Sequence, residues 1–390
     1  MATEGERPVE IRALMGARAL PPLLLVLYHY HEGHGYQHFR WFDVFIAKGY
    51  LWVEFFFALS GFILVHVYGP RLRELWRARG YGDFLKTRLA RLYPLHLSTL
   101  LIMLAMILAL RALAAWGGYV SIYDAPGYHP YTTFWSFSAN LYLVQAWHLF
   151  PQISWNGVSW FVSVEFFLCL IFPVYLWMAS GGPVRALLLL VGGFATLYYL
   201  ANTSHHGLDI TFDWGVVRGA ADFAIGVGLA MLYRLGRARG ADQWSELAWS
   251  AIQIVVAGIF LYAVYNTGWS HRPADFWLVP PLTVLILAMA FDRGILARAL
   301  QTKPLIALGE WSFAIYMGQT IWLQLLRFAE QRLYPNPASQ WAHFIHIAEP
   351  TALVIVCTLW GWILFRAVEQ PANRAVRRWF GQDKAKPAAA

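Results

Sequence analysis

Long apolar runs separated by short polar stretches recur from one end of this chain to the other. Ten of them can be read, at Leu14–Tyr30, Phe45–Tyr68, Arg91–Leu113, Val158–Met178, Val184–Ala201, Gly215–Tyr233, Trp249–Tyr265, Phe276–Phe291, Pro304–Leu326 and Ile347–Phe365. Each has about the length a helix needs to cross ~30 Å of hydrocarbon. The pattern predicts an all-α fold, a polytopic bundle of about ten transmembrane helices over residues 1–370, with both termini on one side. A further half-apolar stretch, Phe134–Phe150, is short and carries Asn140, Gln145 and His148, which predicts an interfacial or re-entrant segment rather than another span. Residues 371–390 are short and basic and predict a disordered tail.

Composition agrees with a membrane bundle. Hydrophobic residues make up 58% of the 390 and charged residues 13%, with 20 Trp, 20 Tyr and 26 Phe, which excludes an ordinary soluble domain. Placing both ends on the cytoplasmic side puts 23 of the 30 Lys and Arg in cytoplasmic segments and six outside, with Arg218 inside a span. That asymmetry is what cytoplasmic loops carry, so the net charge of +8 reads as a topology signal with some attraction to anionic lipid. It does not point to nucleic acid. The first run has no small-residue cleavage site after it and is expected to stay as a helix. Cys169 and Cys357 both fall within apolar runs, so neither a disulfide framework nor a reactive thiol is expected. No internal repeat or appended soluble domain is visible, and chemistry must come from polar groups inside the bundle or in its longer loops.

Four polar features break the apolar background. Arg18 and His29 share the first run, eleven residues apart, which on one continuous helix places them on one face about 16 Å apart. Ionisable groups inside a bilayer segment mark functional sites; the bland alternative is a snorkelling arginine and an interfacial histidine. Glu54 stands near the outer end of the second run, and Glu165 near the outer end of the fourth, with Ser163 two residues before it. A basic stretch with Lys86, Arg88 and Arg91 leads into the third run. A base beside a carboxylate is the arrangement that activates a hydroxyl, and a cluster of cations at the inner leaflet suits a phosphate-bearing ligand from the cytoplasm. Both carboxylates have an alternative as structural acids, and the cations as topology anchors.

The order of these segments resembles acyltransferase family 3, the ten-helix integral membrane O-acyltransferases, over nearly the whole chain. The likeness is carried by Arg18 and His29 with ten residues between them, by Glu54-Phe55-Phe56…Ser60-Gly61-Phe62, by Lys86, Arg88, Arg91, Tyr93 and Pro94, and by Trp160, Ser163 and Glu165. Later signatures are Arg218…Phe223-Ala-Ile-Gly226, Leu308-Gly-Glu-Trp-Ser-Phe-Ala-Ile-Tyr316 and Val368-Glu-Gln-Pro371. Where many members carry a histidine shortly after the ninth-span tyrosine, this chain has Gln319, which cannot act as a base. Phe161 and Val162 also depart from the family's small or polar spacers.

The resemblance implies transfer of an acyl group, most often acetyl, from cytoplasmic acyl-coenzyme A to a hydroxyl of a cell-surface or exported polysaccharide, or of another glycan or lipid-linked acceptor. It implies His29 as general base or acyl carrier, oriented by Glu165 or Glu54. Arg18, Lys86, Arg88 and Arg91 would hold the coenzyme, and Trp160, Ser163, Ser60 and Tyr316 would line the substrate pocket. It places the chain in a bacterial inner membrane with the His29 end outward, with no permanently bound cofactor, and leaves room for a separate periplasmic transfer protein. Three rivals stand beside it. A metal site is conceivable from His29, His31, Glu32, His34 and His38, but the spacing is not that of a His-Glu-x-x-His helix. A glycan-precursor transporter or flippase would want polar motifs in both halves, and here they concentrate in the first four runs. A non-catalytic scaffold leaves the buried charges without a purpose.

Overall fold

A computed structural model describes residues 10–34, 40–118, 132–268, 272–333 and 340–379. Among these residues every long regular element is a helix, and there is no strand. Seven helical stretches are long and apolar enough to cross a membrane: Gly49–Leu75, Ala78–Trp116, Gly157–Ala179, Pro183–Thr203, Gly215–Ala238, Glu246–Thr267 and Ala348–Val376. These match seven of the ten expected runs. The ninth lies within one continuous helix, Lys303–Leu333, and the first and eighth take other forms.

The first run is two helices, α1 (Arg12–Ala17) and α2 (Leu20–His34), with a turn at Arg18 and Ala19. The prolines explain the position of the break. Pro21 and Pro22 are the second and third residues of α2, where a missing N–H leaves no intrahelical bond unmade, so the chain restarts its helix just ahead of them. Asp292, itself in the left-handed region at φ 56°, caps α1 through the Arg12 and Ala13 amides at 3.2 and 2.7 Å. The one continuous helix that would carry Arg18 and His29 on one face is therefore not formed, and the two side chains are placed independently.

After α3 (Arg40–Ala47) comes α4 (Trp52–Tyr68), then the one-turn α5 (Leu72–Leu75) and α6 (Ala78–Trp116). At 39 residues, α6 is about 58 Å long, roughly twice the hydrocarbon thickness, so its basic first half has room to extend beyond the apolar layer. The half-apolar stretch forms α7 (Phe134–Leu141), only eight residues, followed by irregular chain. Then follow α8 (Trp160–Ala179), α9 (Pro183–Thr203), α10 (Gly215–Ala238) and α11 (Glu246–Thr267). The eighth run is split between a 3-10 segment, Pro273–Leu278, and α12 (Val279–Met289). A short α13 (Ile295–Leu300) precedes α14 (Lys303–Leu333) and α15 (Gln340–Leu364). A π-turn at Phe365–Glu369 leads into α16 (Gln370–Trp379). That last helix corrects the expectation of a disordered tail for its first part: Ala372 and Val376, one turn apart, are half-buried while Arg374 and Arg378 face outward, an amphipathic pattern that lets α16 rest on α6. Residues 380–390 lie outside the described part.

The centre of the bundle is α10, packed on α4 and α9. Two glycines allow the approach. A Cβ on Gly61 would lie 2.3 Å from the Phe223 carbonyl oxygen, and one on Gly226 would lie 1.9 Å from that of Ala58. The small residues in two of the signatures thus let helix backbones touch, the usual device where helices cannot be driven together by water.

Candidate active site

Two cavities occupy the polar interior. The first, about 100 Å³, is lined by Arg18, Arg88 and Arg91 together with Ser60, Glu165, Ser312 and Tyr316. The second, about 510 Å³, is lined by His29, Tyr28, Glu32, Asp209, Arg218 and Trp160, and also by Tyr316. Residues from the turn after α1, from α4, α6, α8 and α14 therefore converge on the first, although they are spread over three hundred positions of sequence.

In the arginine-lined cavity, Ser60 donates to Glu165 Oε1 at 2.5 Å, joining α4 to α8. The other carboxylate oxygen, Oε2, has no hydrogen-bond partner and is sealed from solvent, as are Arg88 Nε and Ser312 Oγ. Buried polar atoms are normally paired, so three unpaired ones around one small space describe a site shaped for something else. Glu369, buried at the end of the π-turn, acts electrostatically on Arg18 and Arg91. Three guanidiniums still face two carboxylates, and the site remains cationic. Arg88 is steadied by the rings of Tyr68 and Phe84, each 5.9 Å from its guanidinium carbon. Lys86 does not join this group: it is exposed and pairs with Asp83 one turn away at 3.7 Å.

In the second cavity His29 has a partner that neither carboxylate motif predicted. Its Nδ1 is 3.1 Å from Gln319 Oε1, and the Gln319 amide nitrogen donates to the Tyr316 carbonyl at 3.0 Å. The second bond fixes which end of the amide faces the imidazole. An amide oxygen can only accept, so Nδ1 must carry the hydrogen and Nε2 is left as the basic nitrogen. The expectation that Glu165 or Glu54 sits against His29 is replaced by this geometry. Glu165 lines the other cavity. Glu54 is fully buried and taken up by Arg218, whose Nε and Nη2 donate to its two oxygens at 2.9 and 2.8 Å. Two further N–H groups donate to the Ile210 and Tyr50 carbonyls, and the guanidinium stacks over Trp160 at 5.6 Å. A buried ion pair with four of its five N–H donors bonded acts as architecture, holding the wall of the histidine cavity.

Of the four expected pocket residues, Ser60 and Tyr316 line the first cavity, and Trp160 and Tyr316 the second. Ser163 lines neither. It is fully buried, donates to the Leu143 carbonyl at 2.8 Å and accepts from the Ala146 amide at 3.2 Å, so it is corrected from a pocket residue to an anchor for the chain after α7. That chain is unusual: Leu143, His148 and Trp155 all adopt positive φ, near 54–59°, a costly conformation for large side chains. It is tied down by Asn140 to Ser154 and by Gln145 to Ser159, and it presents Gln152, Ser154 and Trp155 to the histidine cavity.

Several residues of this second cavity had no sequence signal. The Tyr28 hydroxyl lies between Glu32 and Asp209, at 3.0 and 3.1 Å, and can donate its one hydrogen to either, and Arg327 lies at the same cavity. Asp209 falls in a polar loop with no motif around it. Among the described residues no group of three His, Cys, Asp or Glu side chains is close enough to hold a metal ion; His38 of the proposed run lies outside them.

Comparison with known proteins accords with these features. The chain is 29% identical to acyltransferase MdmB of Streptomyces mycarofaciens over 357 residues, covering 85% of this chain and 82% of that protein. Protein 2 in the picA locus of Rhizobium radiobacter is 39% identical over 106 residues, 27% of this chain and 50% of that one. No solved structure matches it. The model of the acyltransferase domain that defines acyltransferase family 3 matches residues 11–366, and the chain, a multi-pass membrane protein with spanning-length apolar helices, belongs to that family of enzymes.

Proposed function

We propose that this acyltransferase moves an acyl group, acetyl in the first instance, from cytoplasmic acyl-coenzyme A to a hydroxyl of a cell-surface or exported polysaccharide, or of another glycan or lipid-linked acceptor. One observation carries the reading: a cationic cavity with unpaired polar atoms and a cavity holding an oriented, basic imidazole share Tyr316 as a common wall. The first suits the phosphates and thioester of the donor, the second a hydroxyl-rich acceptor.

In this reading Arg18, Arg88 and Arg91 bind the coenzyme phosphates by charge-assisted hydrogen bonds. Glu165, held by Ser60, orders the guanidiniums and marks the thioester end. The acceptor hydroxyl hydrogen-bonds to His29 Nε2. As its oxygen attacks the thioester carbonyl carbon, its proton passes to Nε2; the carbon–sulfur bond then breaks, and the thiolate takes the proton from the imidazolium. Gln319 keeps the imidazole in the right tautomer throughout. The excess of Lys and Arg in the segments assigned to the cytoplasm supports a bacterial inner membrane setting with both termini inside, donor cavity inward and acceptor cavity outward.

The test is release of coenzyme A thiol from acetyl-coenzyme A by the purified protein in lipid, for the wild type and His29→Ala. Loss of general-base catalysis lowers turnover by about 10²- to 10⁴-fold. A wild type that neither binds nor cleaves the thioester rejects acyl transfer and favours transport of a glycan precursor.

A further inference from the structure

Tyr316 is common to the two cavities, and Phe161 packs against it on the side of the first. The hydroxyl of Tyr316, on α14, donates to the Val158 carbonyl, just ahead of α8, at 2.9 Å. Phe161, in the first turn of α8, faces the arginine-lined cavity, edge-on to Tyr316 with ring centroids 5.6 Å apart. Phe161 in turn stacks on Phe57 of α4 at 4.5 Å, and Phe57 is completely buried. Both rings are tied to their surroundings. Moving Phe161 displaces a core side chain, and moving Tyr316 breaks its hydrogen bond.

Ser60, Glu165 and the guanidiniums line the first cavity, and His29 lines the second. A thioester held by the arginines has to present its carbonyl past the two rings to meet a hydroxyl held by the base. The free space among the rings, Ser60, Glu165 and the guanidiniums is about 100 Å³, which leaves little room for an acyl chain beside a thioester. We infer that Tyr316 and Phe161 set the length of the acyl group the enzyme transfers, passing short acyl chains and excluding long ones. The inference rests on the acyl-transfer reading above and deepens it, because it names short-chain acyl thioesters as the donor class and the two rings as the selecting element.

The experiment measures kcat/KM for acetyl-, butyryl- and octanoyl-coenzyme A with the wild type, Phe161→Ala, Phe161→Leu and Tyr316→Phe in lipid. The wild type is expected to prefer acetyl. Because each methylene accepted or refused by an apolar pocket changes kcat/KM by about tenfold or more, the octanoyl-to-acetyl ratio should rise at least about tenfold in Phe161→Ala and less in Phe161→Leu. Tyr316→Phe keeps the ring, loses the tether to Val158 and should widen the preference towards butyryl. If Phe161→Ala does not yield folded protein, the same comparison is decided by Phe161→Leu. Variants that turn over acetyl-coenzyme A with the wild-type ratio overturn the inference alone, as does a wild type that prefers octanoyl. A wild type that cleaves none of the three donors overturns the acyl-transfer reading and this inference with it.

Discussion

Nδ1 of His29 lies 3.1 Å from the side-chain oxygen of Gln319, a residue 290 positions further along the chain. A base oriented by a neutral amide, rather than by a carboxylate, keeps its tautomer without gaining a stabilised imidazolium. Removing the amide oxygen while keeping the volume, as in Gln319→Leu, is expected to lower kcat by about tenfold, the equivalent of one hydrogen bond of about 1.5 kcal/mol. KM for acyl-coenzyme A should change little, because Gln319 is not among the arginine-cavity residues. Gln319→Asn, whose shorter amide reaches less far, should recover part of the loss. Steady-state kinetics of the three proteins decides it: equal kcat in all would mean that the contact does not orient the base.

The ion pair between Glu54 and Arg218 predicts a stability effect instead of a chemical one. Both side chains are completely buried, and Glu54→Gln would leave the guanidinium without its counter-charge, at a cost of about 3–5 kcal/mol. A double replacement, Glu54→Leu with Arg218→Met, removes both charges and should restore much of the lost thermal stability in detergent. Should the double variant be stable yet lack all acyl transfer, Glu54 has a chemical role beyond architecture.

The cations divide into two kinds. Arg18→Ala and Arg91→Ala should each raise KM for acyl-coenzyme A by about tenfold or more, since a hydrogen bond between charged groups contributes about 1.5–3 kcal/mol. Lys86→Ala should stay within about twofold of the wild type, its exposed pair with Asp83 being worth at most about 1 kcal/mol. Binding of the coenzyme measured calorimetrically would reverse this assignment if Lys86→Ala proved as damaging as Arg91→Ala.

The crossing of α4 and α10 should be intolerant of a single methyl group. In Gly226→Ala the new carbon would meet the Ala58 carbonyl oxygen at 1.9 Å, a clash of backbone against side chain that no rotamer relieves. A loss of about 1–3 kcal/mol follows from overpacking of this kind. Gly258→Ala on α11, which has open space around its Cα, serves as the control and should melt as the wild type does.

Much of this organisation was legible in the chain. Seven apolar runs became helices of spanning length, and the short polar-apolar stretch after residue 133 became an eight-residue helix with irregular chain behind it. These are local properties, set by hydrophobic run length and by the need to satisfy backbone groups without water. The two prolines after Arg18 are visible in the sequence too, but the complete break there is a tertiary result, because Asp292 and the α14 side of the bundle hold α1 as a separate piece. The motif residues were found by type and order. Their roles separated only in space: Ser163 anchors a strained loop, Glu54 closes an ion pair, Lys86 stays outside, and Gln319 faces the imidazole.

What the sequence determined by itself is therefore the helical membrane class, the family, and the short roster of polar residues from which the site is built. The tertiary structure decided which of them meet. The reason is that periodicity and composition act over a few turns of helix, whereas His29 and Gln319, or Glu54 and Arg218, are brought together across 290 and 164 residues by the packing of separate helices. Two cavities that share Tyr316 are a product of that packing, and no spacing along the chain records it.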